Sequence, residues 1–439
     1  MIAFISSGTI WPSIHGMASV NCKANIMSND STKFHNYYYK NNSLQYQSLC
    51  DRYSEGVNIH NYQKLKDHEC ETIANACRIP SCSAAIDIVV LWVNIDDGNL
   101  KNLFRSIISS PELVLDSRHN QISENRVHDF KQQNRLLRPS KQYFSMMRSP
   151  LRDSISSNRF RDLKQLKYFL RSVEENGREW ARRIFLITNN QVPDYLNINH
   201  LRIRIVNHQQ LFKYTNVTPP KHPLFNSMAI QSMVHNIPTL SSPFYLFDDD
   251  ILIRKYLLVT TIIDGNKSIV DLGNNLFNIL SKPLSLFDNH VHTAINMVKR
   301  IKSISLLGSN DLHYIAFHGP LLLYREIGIK IWNEFREEMK LMISHPFRMP
   351  TDPSIQTLYI YMGYSDYYTF LKTRNILKFE MLTNSQPEKI RNTLRTAFAD
   401  KTVYFVCVND DFQLLTKQMQ QCVNEAYDSI FPKCSSFEY

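Results

Sequence analysis

Short apolar runs that stop at polar or acidic residues set the tightest limit on how this 439-residue chain can fold. The first, Ile86-Asp87-Ile88-Val89-Val90-Leu91-Trp92-Val93, is rich in β-branched residues and bounded by polar ones, which predicts a buried strand. It runs into Asn94-Ile95-Asp96-Asp97-Gly98, a loop carrying two carboxylates. Asp162 to Glu175 then has Leu163, Leu166, Phe169, Leu170 and Val173 at spacings of three and four, the period of an amphipathic helix. Arg183-Ile184-Phe185-Leu186-Ile187-Thr188-Asn189-Asn190 predicts a second buried strand, and Ile203-Arg204-Ile205-Val206 a third. The fourth, Phe244-Tyr245-Leu246-Phe247, passes directly into Asp248-Asp249-Asp250. Strands alternating with helices at these distances predict an α/β layered domain with a mainly parallel sheet. Ligands of such sheets gather outside the carboxyl ends of the strands, and both acidic clusters fall there.

The rest of the chain is patterned less sharply. Residues 1–85 are rich in Asn, Ser and Tyr without sustained periodicity, and are expected to be a partly disordered extension. Residues 99–155 are polar and basic, helical in part, with a mobile stretch expected around Arg148 to Ser157. Beyond residue 255 the pattern turns helical, with an amphipathic helix at Ile327 to Ile343. A late strand, Tyr404-Phe405-Val406-Cys407-Val408, ends at Asn409-Asp410-Asp411, and residues 416–439 are expected to form a tail.

Composition excludes several classes. With 43% hydrophobic residues the chain can bury a sizeable core, so it is neither wholly disordered nor fibrous. Its 11 glycines are too few for Gly-rich phosphate loops to organise it. No apolar run approaches the roughly 18 residues of a membrane span. Met1 to Val20 lacks a basic segment and is broken by Pro12 and His15, so it is a poor leader and a poor anchor. A formal charge of +10 would suit nucleic acid, but the basic residues are scattered and no nucleic-acid motif accompanies them. A phosphate-bearing small substrate fits that charge as well. Five of the eight cysteines precede residue 85 and three follow residue 400. That spread predicts disulfides tying the two ends to themselves or to each other in a secretory lumen, with reduced thiols as the plain alternative. Cys70, Cys77 and Cys82 with His68 match no standard zinc spacing. Triplets at Asn29, Asn41, Asn216 and Asn266 permit glycosylation.

Adjacent carboxylates raise one another's pKa values unless a cation or guanidinium neutralises them. Mg²⁺ and Mn²⁺ favour carboxylate oxygens combined with phosphate, so the strand-end pairs Asp96/Asp97 and Asp249/Asp250 suit a metal–diphosphate complex. For each pair the plain alternative is a helix cap in a solvated loop.

The segments also follow a known order. Ile86 to Asn94 stands like "IDVVYTWVNG", and Arg159-Phe160-Arg161-Asp162, with Leu166, Tyr168 and Leu170-Arg171-Ser172-Val173-Glu174, like "RFRDNEELRYSLRSIE". That second block continues through Ile184 to Asn189, Pro193 and Leu196-Asn197 to Tyr245-Leu246 and Asp249-Asp250. His318, Pro320 and Arg325 stand as in "HMPHMIDR", His345, Arg348 and Asp352 as in "HKVRHSED", and Asn409-Asp410 as in "LNDN". These ordered blocks, near 86–97, 159–255, 313–365 and 404–412, resemble the Stealth family of sugar-1-phosphate transferases. That family includes bacterial capsule polysaccharide phosphotransferases and the catalytic subunit of the lysosomal-enzyme GlcNAc-1-phosphotransferase.

The resemblance implies a catalytic domain over 86–415 with a glycosyltransferase-A-like, Rossmann-like α/β core, a mainly parallel sheet and a helical C-terminal part. It implies transfer of a sugar-1-phosphate, GlcNAc-1-phosphate first, from a UDP-sugar to a hydroxyl of a glycan or glycoprotein, releasing UMP, with Mg²⁺ or Mn²⁺ as cofactor. Such a reaction needs in-line positioning and charge neutralisation more than a strong nucleophile. By the same resemblance Asp96, Asp249, Asp250 and Asp410 would hold metal, and His318, Arg348 and Asp249 would be catalytic. Trp92, Asn94, Arg159, Arg161, Arg325, His345 and Asp352 would contact nucleotide or substrate. No nucleic-acid partner is expected, and the oligomeric state stays open, a homodimer included. The expected setting is the Golgi or cell-surface glycan assembly, with no anchor visible in this sequence.

The chain departs from the family pattern at Ile95 for Gly, at Leu163, Lys164 and Gln165 for "NEE", and at Asp248 for Asn. Gln231 and Met233 stand where "AIESH" has Glu and His. These departures keep two other readings open. One is a catalytically degenerate member that binds nucleotide sugar or glycan. The other is an ordinary glycosyltransferase that releases UDP and uses Asp248-Asp249-Asp250 as its metal motif.

Overall fold

The computed structural model describes residues 86–108, 154–155, 159–177, 180–257, 262–264, 267–271, 276–278, 285–301, 312–315, 319–364, 366–371, 376–383, 386–412 and 415–439. The expectations for residues 1–85, the Cys/His cluster and three of the four glycosylation triplets lie outside them, as does most of the stretch around Arg148 to Ser157.

The N-terminal half runs β1 (Ile86–Leu91), α1 (Gly98–Ile108), α2 (Gln165–Asn176), β2 (Ala181–Thr188), β3 (Ile203–Asn207), α3 (His208–Thr215), α4 (Ser227–Met233) and β4 (Phe244–Asp248). Next come β5 (Ile251–Ile253), β6 (Ile263–Asp264), β7 (Lys267–Asp271), β8 (Leu276–Asn278), α5 (Leu286–Lys299), β9 (Leu312–Tyr314) and β10 (Leu321–Leu323). Helices predominate afterwards: α6 (Arg325–Glu334), α7 (Arg336–Ser344), α8 (Ile355–Met362), β11 (Tyr368–Leu371), β12 (Leu377–Leu382), α9 (Pro387–Ala399), β13 (Phe405–Asp410) and α10 (Lys417–Ile430).

The central sheet has the order β10-β4-β1-β2-β3, and its strands are parallel except for β10. Both faces are covered. Ile86, Ile88 and Val90 pack with Leu166, Phe169, Leu170 and Val173 of α2 on one side. Val89 points to the other, with Ile187, Leu211, Leu246 and the apolar faces of α4 to α8. Double burial is why β1 and β2 are continuous apolar runs rather than alternating ones. The α/β architecture with a mainly parallel sheet is the one expected. A second sheet, β12-β13-β5, packs on the α2 side; β11-β7-β6 and the β8-β9 pair are smaller.

Three local expectations need correction. Helix α2 starts at Gln165 rather than Asp162, because Asp162 Oδ1 accepts the Lys164 N–H at 2.6 Å and Lys164 turns to φ 63°. The expected helix over Ile327 to Ile343 is two helices, broken at Phe335 (φ −124°, ψ 36°), whose ring is buried under the Arg300 guanidinium. Residues 416–439 are no loose tail. Helix α10 buries Cys422, Val423, Ala426 and Tyr427 against Leu394, Phe398 and Val406. Arg171 of α2 donates to both Glu438 oxygens (2.8 and 2.9 Å), to Asp428 at 3.2 Å and to the Phe431 carbonyl at 2.8 Å. Cys407 and Cys422 are buried free thiols, so the disulfide expectation does not extend to them.

At the amino end of the sheet, Asp87 is fully buried and accepts from Arg182, Arg183 and the Ser241 N–H. Burial alone would raise its carboxyl, but the two guanidiniums outweigh it and hold the pKa at about 2. This network joins β1, β2 and the entry to β4 at the end of the sheet away from the acidic triplet.

Candidate active site

The site follows from the way the chain leaves β4. Asp248 ends the strand, Asp249 and Asp250 turn, and β5 continues in the second sheet. There β5 pairs antiparallel with β13, Cys407 opposite Ile251, and Val408 N–H donates to the Asp250 carbonyl at 2.9 Å. That register lays the β13 exit, Asn409-Asp410, beside Asp249-Asp250. On the other flank β1 pairs parallel with β4, Leu91 opposite Asp248, so Trp92 follows at the same carboxyl end.

A cavity of about 260 Å³ opens at this point. Trp92, Arg159, Arg161, the triplet Asp248-Asp249-Asp250, Arg348, Asn409 and Asp410 all line it. Residues spread over more than 300 positions thus share one space.

Its charges are arranged in opposition. Burial pushes the Asp249 carboxyl well above the usual carboxylate range, and the charges of Asp250, Asp162 and Asp248 add to that. Burial, joined by like-charge repulsion from Arg159, draws the Arg348 pKa down to about 10 against the opposite pull of Asp248 and Asp352. Carboxylates that would gain from a cation therefore face guanidiniums that would gain from an anion. Among the described residues no three His, Cys, Asp or Glu side chains form a ready metal cage.

An aromatic cluster sets the arginines. Phe160 stands between Arg159 and Arg161, and Phe347 directly precedes Arg348. Both rings pack on Phe104 of α1, at centroid distances of 5.2 and 5.4 Å, and Phe225 completes the group. Ile95 is buried in the same cluster, and its N–H donates to the Phe160 carbonyl at 2.8 Å. Its φ is not among the positive values of the described residues, so the turn does not require the glycine of the family pattern.

Several expected site residues lie elsewhere. Asp96 is 67% exposed at its side chain and pairs with Lys101 at 3.4 Å, and Asp97 caps α1 through the Leu100 N–H at 2.9 Å. The first acidic pair is thus a capped, solvated loop, and Asp96 does not line the cavity. Asn94 forms that turn, its Oδ1 accepting the Asp96 N–H at 2.9 Å. Arg325 is at the opposite end of the sheet: β10 runs antiparallel to β4, Leu323 opposite Phe244, so the chain emerges at the amino end. There Arg325 donates to the His235 and Leu240 carbonyls. His345 Nδ1 and Asp352 Oδ1 are 2.7 Å apart, and buried Asp352 also accepts from Asn226 and the Met349 N–H. Both support the loop carrying Arg348 rather than facing the cavity. Asp410 does line it, but its oxygens are taken by Arg161 (3.1 and 2.8 Å) and the Phe412 N–H (2.8 Å). In this arrangement it orients Arg161. His318 lies outside the described residues.

Other cavity residues belong to no expected set: Gln165, Asn189, His208, Ser227, Gln231 and Gln356. Gln165 Nε2 donates to the Val408 carbonyl at 2.7 Å and ties α2 to β13, and Ser227 Oγ accepts from Arg348. Asn189 and His208 follow β2 and β3, so the carboxyl-end rule applied to every strand would have found them.

With this geometry, residues 159–270 match Stealth protein CR2, conserved region 2, and residues 317–363 match Stealth protein CR3, conserved region 3. A capsular polysaccharide phosphotransferase of Haemophilus influenzae is 26% identical over 260 residues, covering 57% of this chain and 68% of that protein. The human N-acetylglucosamine-1-phosphotransferase subunits alpha/beta are 40% identical over 103 residues, covering 24% of this chain and 8% of that protein. The chain therefore spans about two thirds of the bacterial relative and a small part of the human one. Among solved structures, the galactosyltransferase LgtC in complex with donor and acceptor sugar analogs has a TM-score of 0.33 and 13% identity, over 63% of this chain and 93% of that one. That likeness is too distant to add to the argument.

Proposed function

The chain belongs to the Stealth family by its second and third conserved regions, and from that premise we propose that it transfers a sugar-1-phosphate from a UDP-sugar, UDP-GlcNAc first, to a hydroxyl of a glycan or glycoprotein. The observation that carries this reading is the single cavity in which Asp248-Asp249-Asp250 opposes Arg159 and Arg348 at the carboxyl ends of the strands. A diphosphate has the charge that such a space accepts.

Arg159 and Arg348 grip phosphate oxygens, Arg348 steadied by Ser227. Trp92 and the apolar floor keep water from the reacting centre. The acceptor hydroxyl attacks the phosphorus that bears the sugar, and the bond to the UMP oxygen breaks. Such a transfer depends on alignment and on neutralising charge. His318 would take the acceptor's proton, by the resemblance of its block. Asp249 and Asp250 would hold Mg²⁺ or Mn²⁺, since these ions bind through one or two carboxylates and complete their shell with phosphate and water. When bound, the ion would supply positive charge to the diphosphate. The setting proposed is the Golgi or cell-surface glycan assembly; no helix among the described residues is long and apolar enough to cross a membrane.

The test is incubation with UDP-GlcNAc, Mn²⁺ or Mg²⁺ and a high-mannose glycan, reading the released nucleotide and the product mass. UMP with sugar-1-phosphate on the acceptor supports the transfer. UDP release would make the protein an ordinary glycosyltransferase, and binding without turnover of any UDP-sugar would make it a non-catalytic reader.

A further inference from the structure

The neutral buried polar atoms of cavity residues that have no hydrogen-bond partner among the described residues include Asn189 Nδ2, His208 Nδ1 and Gln231 Oε1, while the Trp92 indole has the Asp162 carboxyl beside it. Buried polar groups are nearly always paired, so three in one cavity call for a ligand or a cost. They come from separate elements. Asn189 leaves β2, His208 opens α3 at the end of β3, and Gln231 sits in α4. His208 is 8% exposed and Gln231 3%, so neither can satisfy itself by turning to bulk water. All three are uncharged at neutral pH, because burial draws the His208 pKa down to about 4. Ile187, Leu224 and Ile230 provide apolar lining in the same cavity.

Asn189 and His208 are offset from the acidic triplet, and Gln231 stands one turn along α4 from Ser227, which holds Arg348. In the order β4-β1-β2-β3, the exits of β4 and β3 are three strand steps apart, about 14 Å at the usual sheet spacing. A ligand filling both regions carries charge at the Asp249 end and none at the His208 end. A nucleoside diphosphate has that build.

We propose that Asn189, His208 and Gln231 form a neutral subsite that reads the edge of a uracil base, while the diphosphate lies between the acidic triplet and Arg348. The proposal rests on the nucleotide-sugar reading above and adds the residues that choose the base. The uracil edge presents two carbonyl acceptors flanking one N–H donor. An amide N–H, an imidazole N–H and an amide carbonyl answer it without any charged group. The flat faces of the ring suit Ile187, Leu224 and Ile230, whereas a hexose would leave several hydroxyls against that lining unpaired.

Equilibrium binding of UDP, UDP-GlcNAc, CDP and inorganic pyrophosphate, each with Mn²⁺, tests this on the full chain, alongside Gln231→Leu and Asn189→Leu. The expected result is that the wild type favours UDP over CDP and pyrophosphate, and that each variant loses about tenfold for UDP and nothing for pyrophosphate. Thermal stability of the variants should hold or rise, since an unpaired buried amide gives way to an apolar group of similar size. Unchanged UDP affinity in both variants, equal loss for UDP and pyrophosphate, or a wild type indifferent between UDP and CDP would each overturn the subsite. Loss confined to UDP-GlcNAc with UDP unaffected would also overturn it, assigning these residues to the sugar. Because binding is read without turnover, selective UDP binding with no UMP release refutes the transfer and leaves the subsite standing.

Discussion

Asp96 and Asp249 carry the same side chain at the ends of neighbouring strands, and their surroundings separate them. Asp96 is exposed and paired with Lys101, while Asp249 is packed among Asp250, Asp162 and Asp248. A carboxyl whose pKa is raised on folding contributes stability at low pH that is lost as pH rises through the raised value. Buried His208, His235 and His290, with lowered pKa values, work in the opposite sense. The Asp249 contribution is therefore read against a variant lacking that carboxyl: without divalent cation it should fall on going from acid to neutral pH, and Mn²⁺ should restore part of it. Asp249→Asn should flatten that fall and, if the transfer reading holds, reduce UMP release by about 10²-fold or more. Asp96→Ala should alter neither measurement. Equal effects of the two substitutions on UMP release would contradict the distinction. Asp87 shows the opposite sign: its pKa of about 2 gives stability that is present above the ordinary carboxylate range and lost as pH falls toward 2.

Among elements, β5 and α10 decide most. β5 is three residues long, yet its antiparallel pairing with β13 brings Asn409-Asp410 to the triplet and so joins the two sheets at the site. α10 and the turn after it close the α2 side, where Arg171 is held by Glu438, Asp428 and the Phe431 carbonyl. Arg171 and Glu438 have side chains only 1% exposed, so removing one partner strands a buried charge. Glu438→Ala should cost about 3 kcal/mol or more in urea unfolding, and a double change of Arg171→Met with Glu438→Leu should cost less. A smaller loss for the single variant than for the double would show that the pair does not fasten the C-terminal segment.

For the whole molecule, the cavity depends on segments around Trp92, Arg159, Asp249, Arg348 and Asp410 folding together. A ligand that bridges them binds the native state alone and stabilises it by mass action. UDP with Mn²⁺ at a hundredfold its Kd should add about 2.7 kcal/mol, read as a rise in the thermal midpoint that grows with UDP concentration. No rise at saturating UDP would mean that the nucleotide does not bind the folded cavity.

The identity of β1, β2 and β4 could be read from the sequence, since these strands are buried on both faces and their residues show it without context. So could the carboxyl-end position of the acidic triplet. The sequence alone could not separate Asp96 from Asp249, because a cap and a ligand differ only in what surrounds the carboxylate. The same holds for Arg325 and Arg348: the reversed direction of β10 carries one guanidinium to the far end of the sheet, while Phe347 and its ring partners hold the other in the cavity. Strand position could point to Asn189 and His208, and Gln231 stands out as a departure from the family pattern, but only their burial without partners in one cavity brings the three together. Periodicity reports how each element meets the core, whereas pairing register, strand direction and local dielectric depend on residues hundreds of positions away.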